Sequence, residues 1–147
     1  TPVRILFIGT IDRTRGAPVL IEVLHLLKRR GIPATLTMVG AWERLTRGPA
    51  MDLIRQYGVG DQVEFSGRLP RSELLDQFHR HDLFIYQTNN DASPRVVLEA
   101  LACGIPIIAD IADSKVASEL FLYYYYYYYY YFVLSRYMMF EVFCHII

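Results

Sequence analysis

Asp91-Ala-Ser-Pro-Arg-Val-Val-Leu-Glu-Ala-Leu-Ala-Cys-Gly-Ile-Pro-Ile-Ile108 reads as a loop, a helix, a stop and a strand. Ser93 is a favourable N-cap, and Pro94 suits the first helical position, where its missing N–H costs nothing. From Arg95 to Ala102 the residues are almost all apolar, which predicts a helix buried on most sides. Gly104 closes it as a C-terminal cap, and residues 106–109 form a short apolar strand. Two carboxylates mark this segment: Asp91 just before the helix and Glu99 inside it. A carboxylate in an apolar helix costs free energy unless it has a partner. Glu99 therefore needs a cation or a ligand, and Arg95, one turn earlier, is the local cation.

Upstream, the same alternation repeats. Residues 3–8 are an apolar run ending at Gly9. Val19, Leu20, Val23, Leu24 and Leu27 follow at helical spacing, with Lys28-Arg29-Arg30 suited to the helix C-terminus and Gly31 as its cap. Residues 35–39 form a second strand before Gly40, and residues 49–57 a helix with Leu53, Ile54 and Tyr57 on one face and Gly58 as its stop. Residues 63–65 form a third strand before Gly67. A helix over 72–80, N-capped by Ser72 with Leu74, Leu75 and Phe78 inward, leads to a fourth strand over 83–86. Strands and helices in strict alternation with short connections imply an α/β domain, a Rossmann-like doubly wound parallel sheet covered on both faces. Ligands in such sheets bind outside the carboxyl ends of the strands. The candidate site is therefore the set of loops after Ile8, Val39, Phe65, Tyr86 and Ala109.

Composition bounds the partners. The 147 residues are 53% hydrophobic with a net charge of zero, enough for one core and with no charge excess for a nucleic-acid surface. Of the basic residues only Lys28 and Lys115 are lysines, and arginine favours planar recognition of phosphate or carboxylate. Cys103 and Cys144 have no metal-ligand spacing and suggest no disulfide framework, which implies a reducing, cytoplasmic setting. The chain opens directly in a strand at Thr1, as expected of a piece of a longer protein. Residues 123–131 are nine consecutive tyrosines, and the sequence beyond them is rich in Phe, Tyr, Met and Ile. The expected division is a nucleotide-binding domain over 1–115, itself incomplete, and a non-native aromatic low-complexity tail over 116–147. The apolar stretch around the tyrosines is shorter than the roughly twenty residues a transmembrane helix requires, and tyrosine prefers the interface.

The strand-end loops carry the chemistry. The helix start at Ser93 offers free backbone N–H groups and the positive end of the helix dipole, an anion site suited to phosphate. Gly9-Thr-Ile-Asp-Arg-Thr-Arg-Gly16 adds glycines for close backbone approach and two cations, Arg13 and Arg15, either a diphosphate clamp or a solvated loop. Trp42 is either a wall of the ligand cleft or a loop anchor. His79 and His81 straddle a helix end and fit capping better than metal binding.

Taken together, these pieces resemble the C-terminal, donor-binding domain of the retaining GT-B glycosyltransferases of the group-one family (glycosyltransferase family four). The resemblance rests on Ile5-Leu-Phe-Ile-Gly9, Arg15-Gly16, Thr37-Met-Val-Gly40, Val63-Glu-Phe-Ser-Gly67, Asp82-Leu-Phe-Ile85 and the acid-x7-Glu segment from Asp91 through Ile108. It covers about residues 3–112, one half of a GT-B fold. It implies a nucleotide-diphospho-sugar as donor substrate, with no metal and no separate cofactor. By resemblance, Glu99 would bind the ribose hydroxyls, and the backbone of Ser93, Pro94, Arg95 and Val96 would approach the diphosphate. Arg15 would neutralise the leaving group in place of the family's lysine, and Asp91 would stand beside the donor sugar in place of its glutamate. Gly67 and Arg68 would meet the base, with Gly9, Thr10 and Gly40 lining the strand ends. Thr10 departs from the family, which usually has an arginine there. The implied reaction is sugar transfer to an acceptor glycan or lipid held by an N-terminal domain that this sequence does not contain, so the chain alone would be inactive. The parent would be cytoplasmic or peripheral at the inner face of a membrane. A nucleotide-sugar epimerase of the same architecture and a non-catalytic nucleotide-binding remnant are the alternatives.

Overall fold

A computed structural model describes residues 1–12, 17–87 and 95–110. Arg13, Arg15, Asp91, Ser93, Pro94 and the aromatic tail over 116–147 lie outside the described residues. The chain alternates β1 (Val3–Ile8), α1 (Ala17–Arg29), β2 (Ala34–Val39), α2 (Arg47–Tyr57), a 3-10 turn (Gly60–Gln62), β3 (Val63–Gly67), α3 (Arg71–Arg80), β4 (Leu83–Gln87), α4 (Arg95–Cys103) and β5 (Ile107–Asp110). All strand pairs are parallel, in the order β3-β2-β1-β4-β5. This is the doubly wound α/β sheet expected from the alternation. The chain winds outward from β1 to β3, then crosses back to β4 on the far side of β1. Right-handed crossovers place α1 and α2, which pack together, on one face and α3 and α4 on the other. The crevice at the turn-back point opens between the carboxyl ends of β1 and β4.

The central strand is apolar on both sides because both its faces are covered: Ile5, Leu6, Phe7 and Ile8 are all buried. Phe84 of β4 meets Phe78 of α3 edge to face, with ring centroids 5.4 Å apart. α1 buries Ala17, Leu20, Ile21, Leu24 and Leu27, a single stripe at helical spacing. Val19 and Val23 stand only at its margin, so the inward face is turned slightly from the one the valines suggested. α1 ends as the glycine cap requires: the Gly31 N–H donates to Lys28 and the Ile32 N–H to Leu27, each at 3.0 Å. Lys28 also reaches the Gly58 carbonyl, tying α1 to the end of α2.

Two local expectations are corrected. α3 begins at Arg71 with Pro70 as its N-cap; the N–H groups of Glu73 and Leu74 both donate to the Pro70 carbonyl, so Ser72 lies inside the helix and caps nothing. α4 is not buried on most sides. Only Val97 and Ala100 are fully covered, and Leu98 is 40% exposed. A helix on the outer layer of a two-faced sheet has one inward stripe, whatever its composition. Leu75 of α3 is likewise exposed, leaving Phe78 as that helix's buried anchor.

Candidate functional site at the carboxyl end of the sheet

Three adjacent strands run into glycine, and backbone hydrogen bonds cross the sheet at these positions. The Gly9 N–H donates to Val39 and the Gly40 N–H to Gly67, each at 2.9 Å. A Cβ on Gly40 would stand 1.8 Å from the Gly9 carbonyl oxygen, with φ at +145°, so only glycine lets the two backbones approach this closely. Gly67 has φ of +72° but open space where a Cβ would be. Its surface is bare backbone facing a void, followed by the exposed Arg68.

The pairing of β1 with β2 resumes beyond the glycines. The Ile11 N–H donates to Ala41 at 2.8 Å and the Glu43 N–H to Ile11 at 3.0 Å, a one-residue parallel bridge between Ile11 and Trp42. Ile11 is completely buried and anchors this extension, with Thr10 partly buried between Gly9 and Ile11. On the other side the register skips: Met38 pairs with Phe65 but Val39 with Gly67. Ser66 is therefore the extra residue of a bulge, which bends the end of β3. The Ser66 Oγ is buried without a hydrogen-bond partner among the described residues.

Across the turn-back point, a Cβ on Gly9 would lie 3.8 Å from the Tyr86 ring, which links the end of β1 to that of β4. α4 then begins, with Arg95 exposed and Val96 partly buried. Glu99 finds a cation, but not the one its own helix offers. Its Oε1 lies 3.4 Å from a guanidinium nitrogen of Arg71 on α3, where the Glu99 side chain is 28% and the Arg71 side chain 81% exposed. An exposed pair at this distance holds little energy, about 0–1 kcal/mol. It leaves most of the acceptor capacity of Glu99 available. Arg95 has no ion pair among the described residues. Local spacing offered only Arg95; Arg71 comes from a different element, and no short-range signal points to it.

The amino end of the sheet is built differently. Asp82, just before β4, takes the Arg4 guanidinium as a fork, at 2.7 Å to Oδ1 and 3.0 Å to Oδ2. The Arg4 N–H adds a third bond at 2.9 Å, and the Asp82 N–H returns one to the Arg4 carbonyl at 2.9 Å. The Arg4 side-chain hydrogen bonds, and then its backbone N–H, hold the Asp82 carboxyl at about 2, below the usual carboxylate range. Next to it, His81 caps α3. Its Nδ1 donates to the Gln77 carbonyl at 2.7 Å, and its Nε2 lies 3.0 Å from the Thr37 hydroxyl. These groups clasp strands and helix together.

The described site residues thus fall into two sets flanking the crevice. Gly9, Thr10, Gly40, Gly67 and Arg68 run along the ends of β1, β2 and β3, and Arg95, Val96 and Glu99 lie on α4. Arg15, Asp91, Ser93 and Pro94 are outside the described residues. Among the described residues no three His, Cys, Asp or Glu side chains are grouped to hold a metal ion, and no helix is long and apolar enough to cross a membrane.

Comparison with known proteins agrees with this architecture. The chain is 31% identical over 107 residues to the D-inositol 3-phosphate glycosyltransferase of Arthrobacter sp. (strain FB24), a match covering 71% of this chain and 25% of that protein. The fold is that of GT-B glycosyltransferase structures. WaaG, a glycosyltransferase involved in lipopolysaccharide biosynthesis, superposes with a TM-score of 0.72 at 21% identity, over 92% of this chain and 34% of WaaG. Anabaena Alr3699/HepE, crystallised with UDP and glucose, superposes with a TM-score of 0.71 at 19% identity, over 91% of this chain and 34% of that one. The chain spans about a quarter of the length of the curated relatives it matches. The family profile described as "Glycosyl transferases group 1" matches residues 1–120, and the chain belongs to that family.

Proposed function

We propose that this chain is the donor-binding part of a retaining GT-B glycosyltransferase of family four, and that the carboxyl end of its sheet binds a nucleotide-diphospho-sugar. The observation that carries this reading is the glycine-ended strip of β1, β2 and β3, at the same end of the sheet from which α4 starts. Bare backbone lets a phosphorylated ligand approach closely, and the start of a helix supplies unpaired N–H groups. The solved relative bound to UDP and glucose supports the ligand class. Membership of the group 1 family favours transfer over the epimerase alternative.

Within this reading Glu99 accepts hydrogen bonds from the ribose hydroxyls. The backbone from Ser93 to Val96, with Arg15, neutralises the diphosphate, Asp91 stands beside the sugar, and Gly67 with Arg68 meets the base. The sugar C1–O bond to the diphosphate breaks. The acceptor oxygen attacks C1 from the same face, and its proton passes to the departing phosphate oxygen. Positive charge placed where the leaving group gains negative charge is what accelerates such a step, and here cations and the helix start supply it without a metal or cofactor. The acceptor, a glycan or lipid, belongs to a partner domain, so the chain by itself binds donor without transferring sugar. Residues 1–115 form this unit, and 116–147 contribute nothing to it.

Calorimetric titration of the chain with nucleoside diphosphates and UDP-glucose tests the reading. Saturable binding unaffected by EDTA, with no sugar transfer to added acceptors, is expected. Absence of binding sinks the donor site, and donor-dependent transfer by this chain alone sinks the division of labour.

A further inference from the structure

Trp42 is the only tryptophan of the chain, and it stands at the carboxyl end of the sheet. Its backbone is fixed by the bridge to the fully buried Ile11, two residues beyond the glycine whose N–H donates to the Gly67 carbonyl. Its ring packs against Phe65, with centroids 4.7 Å apart and planes inclined at 50°. Phe65 lies two residues before Gly67 on the edge strand β3. The indole is only partly buried, and its N–H has no hydrogen-bond partner among the described residues. The space over Gly67 is open. A partly exposed aromatic pair thus lies at the same end of the sheet as the open position at Gly67.

Resting on the donor-site reading above, we infer that Trp42 is a donor-binding residue that presents its ring to the nucleobase, with Phe65 as its backing. Two features favour this over a loop anchor. The bridge at Ile11 already anchors the loop through its backbone, so the indole is not needed for that. Covering Phe65 would also be served by any apolar side chain, whereas a planar ring left partly exposed suits a flat ligand. Stacking tolerates any base, because every base has a π-face. Trp42 would therefore add affinity for the base as such, while the backbone at Gly67 would sort one base from another.

Three titrations of the full chain test this. Calorimetry with uridine, adenosine and guanosine diphosphates establishes binding independently of Trp42. Fluorescence excited at the red edge, beyond tyrosine absorption so that it reports the single tryptophan, is then followed with the same ligands and with pyrophosphate. The expected result is saturable quenching by a nucleoside diphosphate at its calorimetric midpoint and none by pyrophosphate. Trp42→Leu, which still covers Phe65, should weaken the nucleoside diphosphate by about tenfold and leave pyrophosphate unchanged; Trp42→Phe should restore most of the loss. Calorimetric binding of a nucleoside diphosphate without quenching, or with equal affinity in Trp42→Leu, overturns this role while leaving the donor site standing. No binding of any nucleoside diphosphate overturns both.

Discussion

The two ends of this sheet are held by opposite means. At the amino end, side chains do the joining: the Arg4–Asp82 fork and the His81 cap between Gln77 and Thr37 lock β1, β2, α3 and β4 together. At the carboxyl end, backbone does it: the Gly9 N–H donates to Val39 and the Gly40 N–H to Gly67, at positions that carry no side chain of their own. The difference has a chemical consequence. An end closed by ion pairs has spent its polar groups, while an end closed by backbone bonds can admit a ligand among the bare peptides and send side chains to meet it. On the proposed reading, the ligand meets the end of the sheet that is joined by backbone rather than by side chains.

The sharpest way to break this contrast is to put a side chain where backbone packs on backbone. Gly40→Ala places a methyl 1.8 Å from the Gly9 oxygen, and neither neighbour is a side chain that can swing away. Loss of about 3 kcal/mol or more is expected, within the range of the most damaging single substitutions, together with loss of nucleotide binding, read by thermal unfolding and titration. Gly67→Ala, with open space at its Cβ but a positive φ, should destabilise less, by about 1 kcal/mol.

The next test separates the two meanings of Glu99. If its carboxylate binds ribose, Glu99→Ala weakens nucleoside diphosphate by about tenfold or more, the value of at least one hydrogen bond to a charged group. Arg71→Ala, which removes only its exposed partner, should change affinity little. Equal losses in the two variants would make the ion pair the whole explanation. Restoring the cation absent at Thr10 sharpens the same end: Thr10→Arg should tighten diphosphate binding by about threefold in low salt, with the gain fading as salt is added.

The smallest effect belongs at the other end. The Asp82 carboxyl sits at about 2 against an ordinary value of 3.8. A group whose pKa is lowered by folding stabilises the fold above its unfolded value and loses that contribution as the pH falls through the folded one. The Arg4–Asp82 fork should therefore hold fully above pH about 4 and be lost between there and pH about 2. Both partners are about half exposed, so Asp82→Asn should lower the melting temperature only slightly at neutral pH. The variant should also flatten the acid limb of the stability curve and leave nucleotide affinity unchanged.

How far the sequence reveals this molecule follows the range of the interactions. Alternating strands and helices, and the glycines that stop them, are local signals, and all five strands fall where apolar runs predict them. Gly9, Gly40 and Gly67 are readable as strand-end residues, but the backbone bonds from Gly9 to Val39 and from Gly40 to Gly67 are not, because they depend on strand order. The bulge at Ser66 is invisible for the same reason: it is a mismatch between two strands, not a property of either. α4 was expected to be more buried than it is, since composition reports how apolar a helix is and not how many sides are covered. The need of Glu99 for a partner rests on a mostly buried helix, which α4 is not, although a cation does lie beside it. Which cation answers it was settled by the packing of α3 against α4, beyond the reach of any helical spacing.

The central claim, that the ligand binds at the end closed by backbone, is tested most directly by following every backbone amide during a titration with uridine diphosphate, using nuclear magnetic resonance of the isotope-labelled chain. The account predicts saturable shifts concentrated at Gly9, Thr10, Gly40, Gly67, Arg68, Arg95 and Val96, with Arg4, His81 and Asp82 unmoved. Shifts centred on Arg4 and Asp82, or no shifts at all, would contradict it.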